Sequence, residues 1–268
     1  LAQVAAECLG CELDDIVVFG ADTDISPYDS GSYASSTAYL TGTAVVKTCE
    51  ALKEKILHKA AKYLETGVEE LEFDGKRVYK LACGEDGTKK EISIKDLANR
   101  VQCANEDALQ VTQSHSSPIS PPPFMAGAAE VEVDLETGQV ELIKFAAAVD
   151  CGTPLNENLA RVQTEGGLVQ GIGMALYEDV SYSKDGKVHE NSFMQYKVPS
   201  RLDVGRVQVE FESSFEPTGP FGAKSIGEVV INTPSPAIAN AVYNAVGVRI
   251  RELPITAEKV FKGMNGLD

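Results

Sequence analysis

The run Ser116-Ser117-Pro118-Ile119-Ser120-Pro121-Pro122-Pro123 constrains this chain more than any other feature. Proline has no N–H to donate and drives the residue before it out of the helical region, so a helix is excluded here and an extended strap is favoured. We read residues 114–127 as a connection between two lobes, 1–113 and 128–268, rather than as a ligand for a proline-binding domain.

Both lobes carry mixed patterns. Upstream, Leu1, Val4, Ala5, Cys8 and Leu9 share a helical face that ends at Gly10, Asp14 to Gly20 reads as a short strand, and Leu40, Ala44, Val45, Leu52, Ile56, Ala60 and Leu64 recur at helical spacing. Leu71 to Tyr79 turns at Asp74-Gly75, and Glu91 to Ile94 leads into a short helix ending near Val101. Downstream, Ala129 to Asp134 and Gln139 to Ile143 alternate around Thr137-Gly138, and a strand reaches Asp150. A helix from Arg161 to Tyr177, a hairpin at Asp185-Gly186, a strand from Val207 to Phe215 and a final helix from Pro236 to Val246 follow. The irregular alternation predicts an α+β fold with mixed sheets and packed helices in two lobes. The chain starts inside a helical pattern with neither Met nor cap, so we expect an upstream portion to be missing.

Lys and Arg number 24 against 40 Asp and Glu, a net charge of −16. The resulting negative field disfavours nucleic acid and anionic lipid as partners. No apolar run approaches the roughly 18–20 residues of a membrane span, and the basic, apolar, small-residue order of a signal peptide is missing, so a cytoplasmic protein is expected. Cysteines stand at 8, 11, 49, 83, 103 and 151. Cys8 and Cys11 lack the second close pair of a zinc ribbon and the preceding strand of a thioredoxin site, so ordinary buried thiols are the better reading. His58, His115 and His189 form no ligand cluster, and no side chain of this sequence is assigned to a metal.

Three stretches could carry chemistry. In the first, Gly31 to Gly42, small hydroxyl residues precede the long helix, where free N–H groups and the positive dipole end suit a phosphate; an ordinary N-cap is the alternative. The second is Asn156 to Gly173. Glycines at 166, 167, 171 and 173 remove bulk from a helix surface, and Gln163 and Gln170 lie two turns apart on one side. Neutral amides there suit a heterocycle with donors and acceptors, and glycine-assisted helix packing is the alternative. In the third, Glu216 to Glu228, a Gly/Pro-rich loop leads to a lone carboxylate before Val229-Val230-Ile231. Glu228 in a dry pocket would serve as a general base, while a solvated turn glutamate would not.

In this order, the three stretches resemble the C-terminal half of the molybdenum-binding subunit of the xanthine dehydrogenase/aldehyde oxidase family of molybdenum hydroxylases. The resemblance rests on Tyr33-Ala34-Ser35-Ser36-Thr37 before Gly42-Thr43-Ala44-Val45, on Gln163-Thr164-Glu165-Gly166-Gly167-Leu168-Val169-Gln170-Gly171-Ile172-Gly173, and on Gly222-Ala223-Lys224-Ser225-Ile226-Gly227-Glu228. It covers nearly the whole chain, is weakest from about Glu65 to Gln113, and is nearest to bacterial subunits, among them that of nicotinate dehydrogenase. It implies the fold of the second molybdopterin-binding domain. It also implies that Ala34, Ser35, Ser36 and Thr37 contact a molybdenum-molybdopterin cofactor, in its plain or its cytosine dinucleotide form, that Gln163 hydrogen-bonds it, and that Glu228 is the catalytic base. The implied reaction hydroxylates an electron-poor carbon of an N-heterocycle, such as a purine or nicotinate, or of an aldehyde, with oxygen from water.

The family's upstream half is absent here, and the cysteines lack ferredoxin spacing. The resemblance therefore implies partners: another molybdopterin-binding half or subunit, an iron–sulfur subunit and an FAD subunit. The alternative is a noncatalytic assembly or cofactor-holding subunit in which Glu228 is unused.

Overall fold

A single long helix organises the upstream part of the chain, because its apolar residues keep helical spacing from end to end. In the computed structural model, which describes residues 1–82 and 89–267, this is α2 (Thr37–Leu64), preceded by α1 (Ala2–Leu9). Cys83 lies outside the described residues. The chain divides into two compact units, Leu1–Ser120 with Thr218–Pro220, and Pro121–Pro217 with Phe221–Asp268.

In the first unit, α1 ends at Gly10 in the left-handed conformation, which glycine adopts without a Cβ clash. After α2 come β1 (Leu71–Phe73), β2 (Arg77–Lys80) and β3 (Glu91–Ser93), an antiparallel sheet in that order, and then α3 (Ile94–Cys103). Ser93 caps α3, its Oγ accepting from the Asp96 N–H at 3.0 Å. Ile56, Ala60 and Leu64 of α2 close over Leu71, Val78 and Ile92 of the sheet and Leu97 and Val101 of α3. At the edge of this core, Glu106 accepts hydrogen bonds from Lys59 at 2.8 Å, from Lys62 and from Tyr63 at 3.1 Å.

The second unit is built on β4 (Phe124–Val133), β5 (Val140–Asp150) and β6 (Arg206–Phe211). β4 and β5 pair antiparallel with a register shift at Glu130/Val131, and β5 pairs parallel with β6. A parallel neighbour requires a crossover, and α4 (Glu157–Leu176) lies within it. α5 (Pro234–Val246) and α6 (Ala257–Met264) complete the unit. Its core gathers Phe145, Val149, Leu168, Ile172, Val209, Ile238, Val242 and Val260.

The α+β expectation is met by two three-stranded sheets with packed helices. Four local expectations change. Asp14 and Asp15 belong to a short 3-10 turn (Leu13–Asp15), and the apolar run Val17-Val18-Phe19 pairs with no strand among the described residues. An apolar run becomes a strand only where a ladder partner takes its N–H and C=O groups. The hairpin at Asp185-Gly186 forms in minimal shape, with the antiparallel bridge Tyr182↔Val188 between the bonds Ser183 N–H to Lys187 C=O and His189 N–H to Ser181 C=O but no regular strands, and β6 stops at Phe211, four residues short of the expected end. α6 was not anticipated; its signal was Thr256, whose Oγ1 accepts from the Lys259 N–H at 3.3 Å.

Among the described residues no helix is long and apolar enough to cross a membrane, and no group of His, Cys, Asp and Glu is arranged to hold a metal ion. Cys8, Cys11, Cys49, Cys103 and Cys151 are free thiols, of which only Cys49 and Cys151 are buried, while Cys103 is exposed. Burial, reinforced by the neighbouring Cys8 and Cys11 thiols, pushes Cys49 up to about 11.

Candidate functional site

At the entrance of α2, Ala34 (φ 50°) and Ser35 (φ 54°) are consecutive left-handed residues without being glycine. Such conformations cost roughly 1–3 kcal/mol each and persist only where the surroundings enforce them. Ser36 occupies the N-cap position without capping, since its hydroxyl donates backwards to the Tyr33 carbonyl at 2.9 Å. The first-turn N–H groups, which have no partner inside the helix, therefore receive no acceptor from Ser36. Ala34 and Thr37 are exposed, and Ser35 and Ser36 are half-buried.

One turn into α2, the buried Tyr39 hydroxyl hydrogen-bonds Ser117 Oγ at 3.1 Å and Thr218 Oγ1 at 2.7 Å, tying the entrance to the proline strap and to Thr218 within the first unit. A Cβ at Gly42 would come within 3.0 Å of Pro220 Cγ. A strained, hydroxyl-rich turn ahead of the positive end of a 28-residue helix fits a phosphate-bearing cofactor.

In the second unit, Asn156 caps α4, its Oδ1 accepting from the Leu159 N–H at 3.0 Å. The glycines of this helix divide their work by face. A Cβ at Gly167 would overlap Val230 Cγ2, and one at Gly171 would lie 2.6 Å from Pro234 Cγ, so these two form a notch that receives the segment Val230–Pro234. Gly166 faces open space, and Gln163 and Gln170, three residues before it and four after, are exposed beside it. Helix packing and an open amide-bearing face thus coexist on one helix.

Glu228 stands at the cap of a 3-10 turn (Val229–Ile231). Val230 is fully buried, whereas Glu228 itself is exposed, so this chain does not build the dry pocket expected around it. The alternation of the short turn sends the apolar side chain inward and leaves the carboxylate outward. Both Glu228 and Gln163 belong to the second unit, whereas Ala34, Ser35, Ser36 and Thr37 belong to the first.

Sequence reasoning missed how the 222–228 segment is held. Gly152 and Ala223 form an antiparallel bridge, and the Lys224 N–H donates to the Cys151 carbonyl at 2.8 Å. Lys224 Nζ donates to Asp150 Oδ2 at 2.7 Å and to the Pro122 carbonyl at 3.3 Å. Asp150 Oδ1 accepts from Ser214 Oγ at 2.6 Å and from the Gly152 N–H at 3.0 Å. Burial pushes the Asp150 carboxyl up, but the hydrogen bonds from Lys224, Ser214 and Gly152 outweigh it and hold the group below the usual carboxylate range. The available signal was the one charged residue between Glu216 and Glu228, a lysine in a Gly/Pro-rich loop, together with an Asp closing a buried strand.

Comparison with known proteins agrees with this architecture. Residues 1–205 match the model of the molybdopterin cofactor-binding domain. The chain is 35% identical over 266 residues to the "Probable hypoxanthine oxidase" of Escherichia coli (strain K12), covering 98% of this chain and 27% of that protein. It is 31% identical to the "6-hydroxypseudooxynicotine dehydrogenase complex subunit gamma" of Paenarthrobacter nicotinovorans, covering 100% of this chain and 34% of that one. Among solved structures, the reconstituted CO dehydrogenase from Oligotropha carboxidovorans superposes with a TM-score of 0.86 at 28% identity, covering 99% of this chain and 33% of that chain. Quinoline 2-oxidoreductase from Pseudomonas putida 86 superposes at 0.85 with 26% identity, covering 100% and 35%. The chain thus spans about a third of the length of the proteins it matches. It belongs to the molybdopterin cofactor-binding domain family, within the molybdopterin-binding subunits of the xanthine dehydrogenase family.

Proposed function

We propose that this chain is the cofactor-binding and base-supplying part of a molybdenum hydroxylase acting on an electron-poor carbon of an N-heterocycle or an aldehyde. Ala34, Ser35, Ser36 and Thr37 hold the pterin or its phosphate with first-turn N–H groups and hydroxyls, and Gln163 hydrogen-bonds the cofactor through an amide that both donates and accepts. Glu228 takes up the proton released in the hydroxylation. The molybdenum cofactor, when bound, supplies the two-electron redox chemistry. A further molybdopterin-binding half, an iron–sulfur subunit and an FAD subunit complete the assembly, and they would cover the carboxylate that this chain leaves exposed. The cytosine dinucleotide form of the cofactor is equally part of this proposal.

The observation that supports the reading best is the notch in α4. Val230, two residues along the chain from Glu228, enters it at Gly167, one turn from Gln163, so the cofactor-contacting amide and the base belong to adjoining elements of one unit. Glu228→Gln in the full-length, cofactor-loaded protein should lower kcat by roughly 10²–10⁴-fold, the usual contribution of a general base, with molybdenum content unchanged. Turnover at the wild-type rate would overturn Glu228 as the base and leave this chain the cofactor-holding role of the alternative reading.

A further inference from the structure

The segment that carries Glu228 is held on both sides. On the C-terminal side, Val230 is packed into the α4 notch. On the N-terminal side lies the ammonium of Lys224, whose side chain is 9% exposed and whose partner Asp150 is 20% exposed. The ammonium also stands 5.3 Å from the centroid of the Phe124 ring. Desolvating such a pair costs most of what its attraction returns, so it adds little to stability compared with a well-packed apolar pair. What it contributes is place: a buried ammonium that slides away from Asp150, the Pro122 carbonyl and the ring loses its partners at once, whereas an apolar side chain could settle in several positions.

We infer that Lys224, held by Asp150 and Ser214, is a positioning residue that fixes where Glu228 stands beside the Gln163 helix. The inference rests on the reading of Glu228 as the base. Between the two fixed points, Lys224 and Val230, only five residues intervene, and Ile226 and Val229 among them pack against the core. Removing the ammonium takes away the side-chain ties to Asp150, the Pro122 carbonyl and the Phe124 ring and leaves that end held only by the Gly152–Ala223 bridge and the Lys224 N–H, so Glu228 shifts while Val230 stays seated and the unit stays folded.

The test uses the full-length, cofactor-loaded protein with Lys224→Met, which keeps chain length and removes charge, and Lys224→Arg, which keeps charge. Hydrogen exchange of the 221–228 amides should rise at least tenfold in Lys224→Met, with β4 unchanged. Turnover of an aldehyde or N-heterocycle that the wild type oxidises should show kcat at least tenfold lower, with KM and molybdenum content within twofold, and Lys224→Arg should restore most of both. Unchanged exchange, or faster exchange with unchanged kcat, overturns the inference. Should Lys224→Met fail to fold, Ser214→Ala removes only the support of Asp150, and wild-type exchange and kcat there overturn it equally. Wild-type turnover in Glu228→Gln would overturn the base assignment itself. Loss of turnover in Glu228→Gln with unaltered behaviour of Lys224→Met would overturn the positioning role alone.

Discussion

Residues 16–36 and 212–228 are both irregular, polar and rich in small residues, yet they are held differently. The first is tied chiefly by local bonds: the Asp24 N–H to Asp22 Oδ1 at 3.0 Å, the Gly31 N–H to Asp29 Oδ1 at 2.7 Å, and Ser30 to Tyr33 at 3.1 Å. Its apolar side chains lie open, with Val17 90%, Phe19 67% and Tyr28 93% exposed. The second reaches across the sequence, through Lys224 to Asp150 and Ser214 to Asp150, and just past its end Val230 packs on Gly167. A loop's place is set by the distant groups it reaches, and composition alone does not reveal which loops reach any.

The contrast can be broken by substitution. Asp150→Ala leaves the Lys224 ammonium buried without its carboxylate and should cost about 3 kcal/mol in urea unfolding; a loss within error would mean that the second loop is no better anchored than the first. Gly167→Ala forces a methyl against Val230 and should cost about 2 kcal/mol by overpacking. Its neighbour Gly166 opens on space, so Gly166→Ala should stabilise by about 0.5–1 kcal/mol through helix propensity, and equal effects at the two positions would refute the division of the helix into a packed and an open face. Phe19→Ser in the open segment should change stability by less than about 0.5 kcal/mol.

A pH series sharpens the comparison at a third place, where a single carboxylate ties residues distant in sequence. Hydrogen bonds from Lys59 and Lys62, with a further one from Tyr63, hold Glu106 at about 2. A depressed carboxyl stabilises the folded state above its ordinary range and loses that effect as pH falls through the folded value. The stability difference between wild type and Glu106→Gln should therefore be full at pH 6 and vanish near pH 2, as followed by circular dichroism during urea unfolding.

Local rules carried most of the fold. The 36–64 pattern became α2 because side-chain spacing and backbone hydrogen bonding agree along one helix, and Asp74-Gly75 turned because few other dipeptides fit that geometry. Val17-Val18-Phe19 misled for the opposite reason, since β pairing needs a second strand that no local pattern announces. The motifs around Ser36, Gln163 and Glu228 were legible as residue types suited to a phosphate, a heterocycle and a proton, and only the resemblance implied a pterin. That Gly167 and Gly171 serve packing while Gln163, Gly166 and Gln170 stay open was not, because one helix offers several faces and only its neighbours choose among them.

By itself, then, the sequence determined the α+β class, the long helix and the polar side chains available to a ligand, which follow from spacing and composition along the chain, and it pointed to the family through the resemblance of three motifs. Only the tertiary structure decided that Asp150 would meet Lys224 across 74 residues, that Val230 would fill the notch at Gly167, and that Glu228 would face outward. Those outcomes depend on which groups, distant in sequence, must share a buried space, and that is a property of packing.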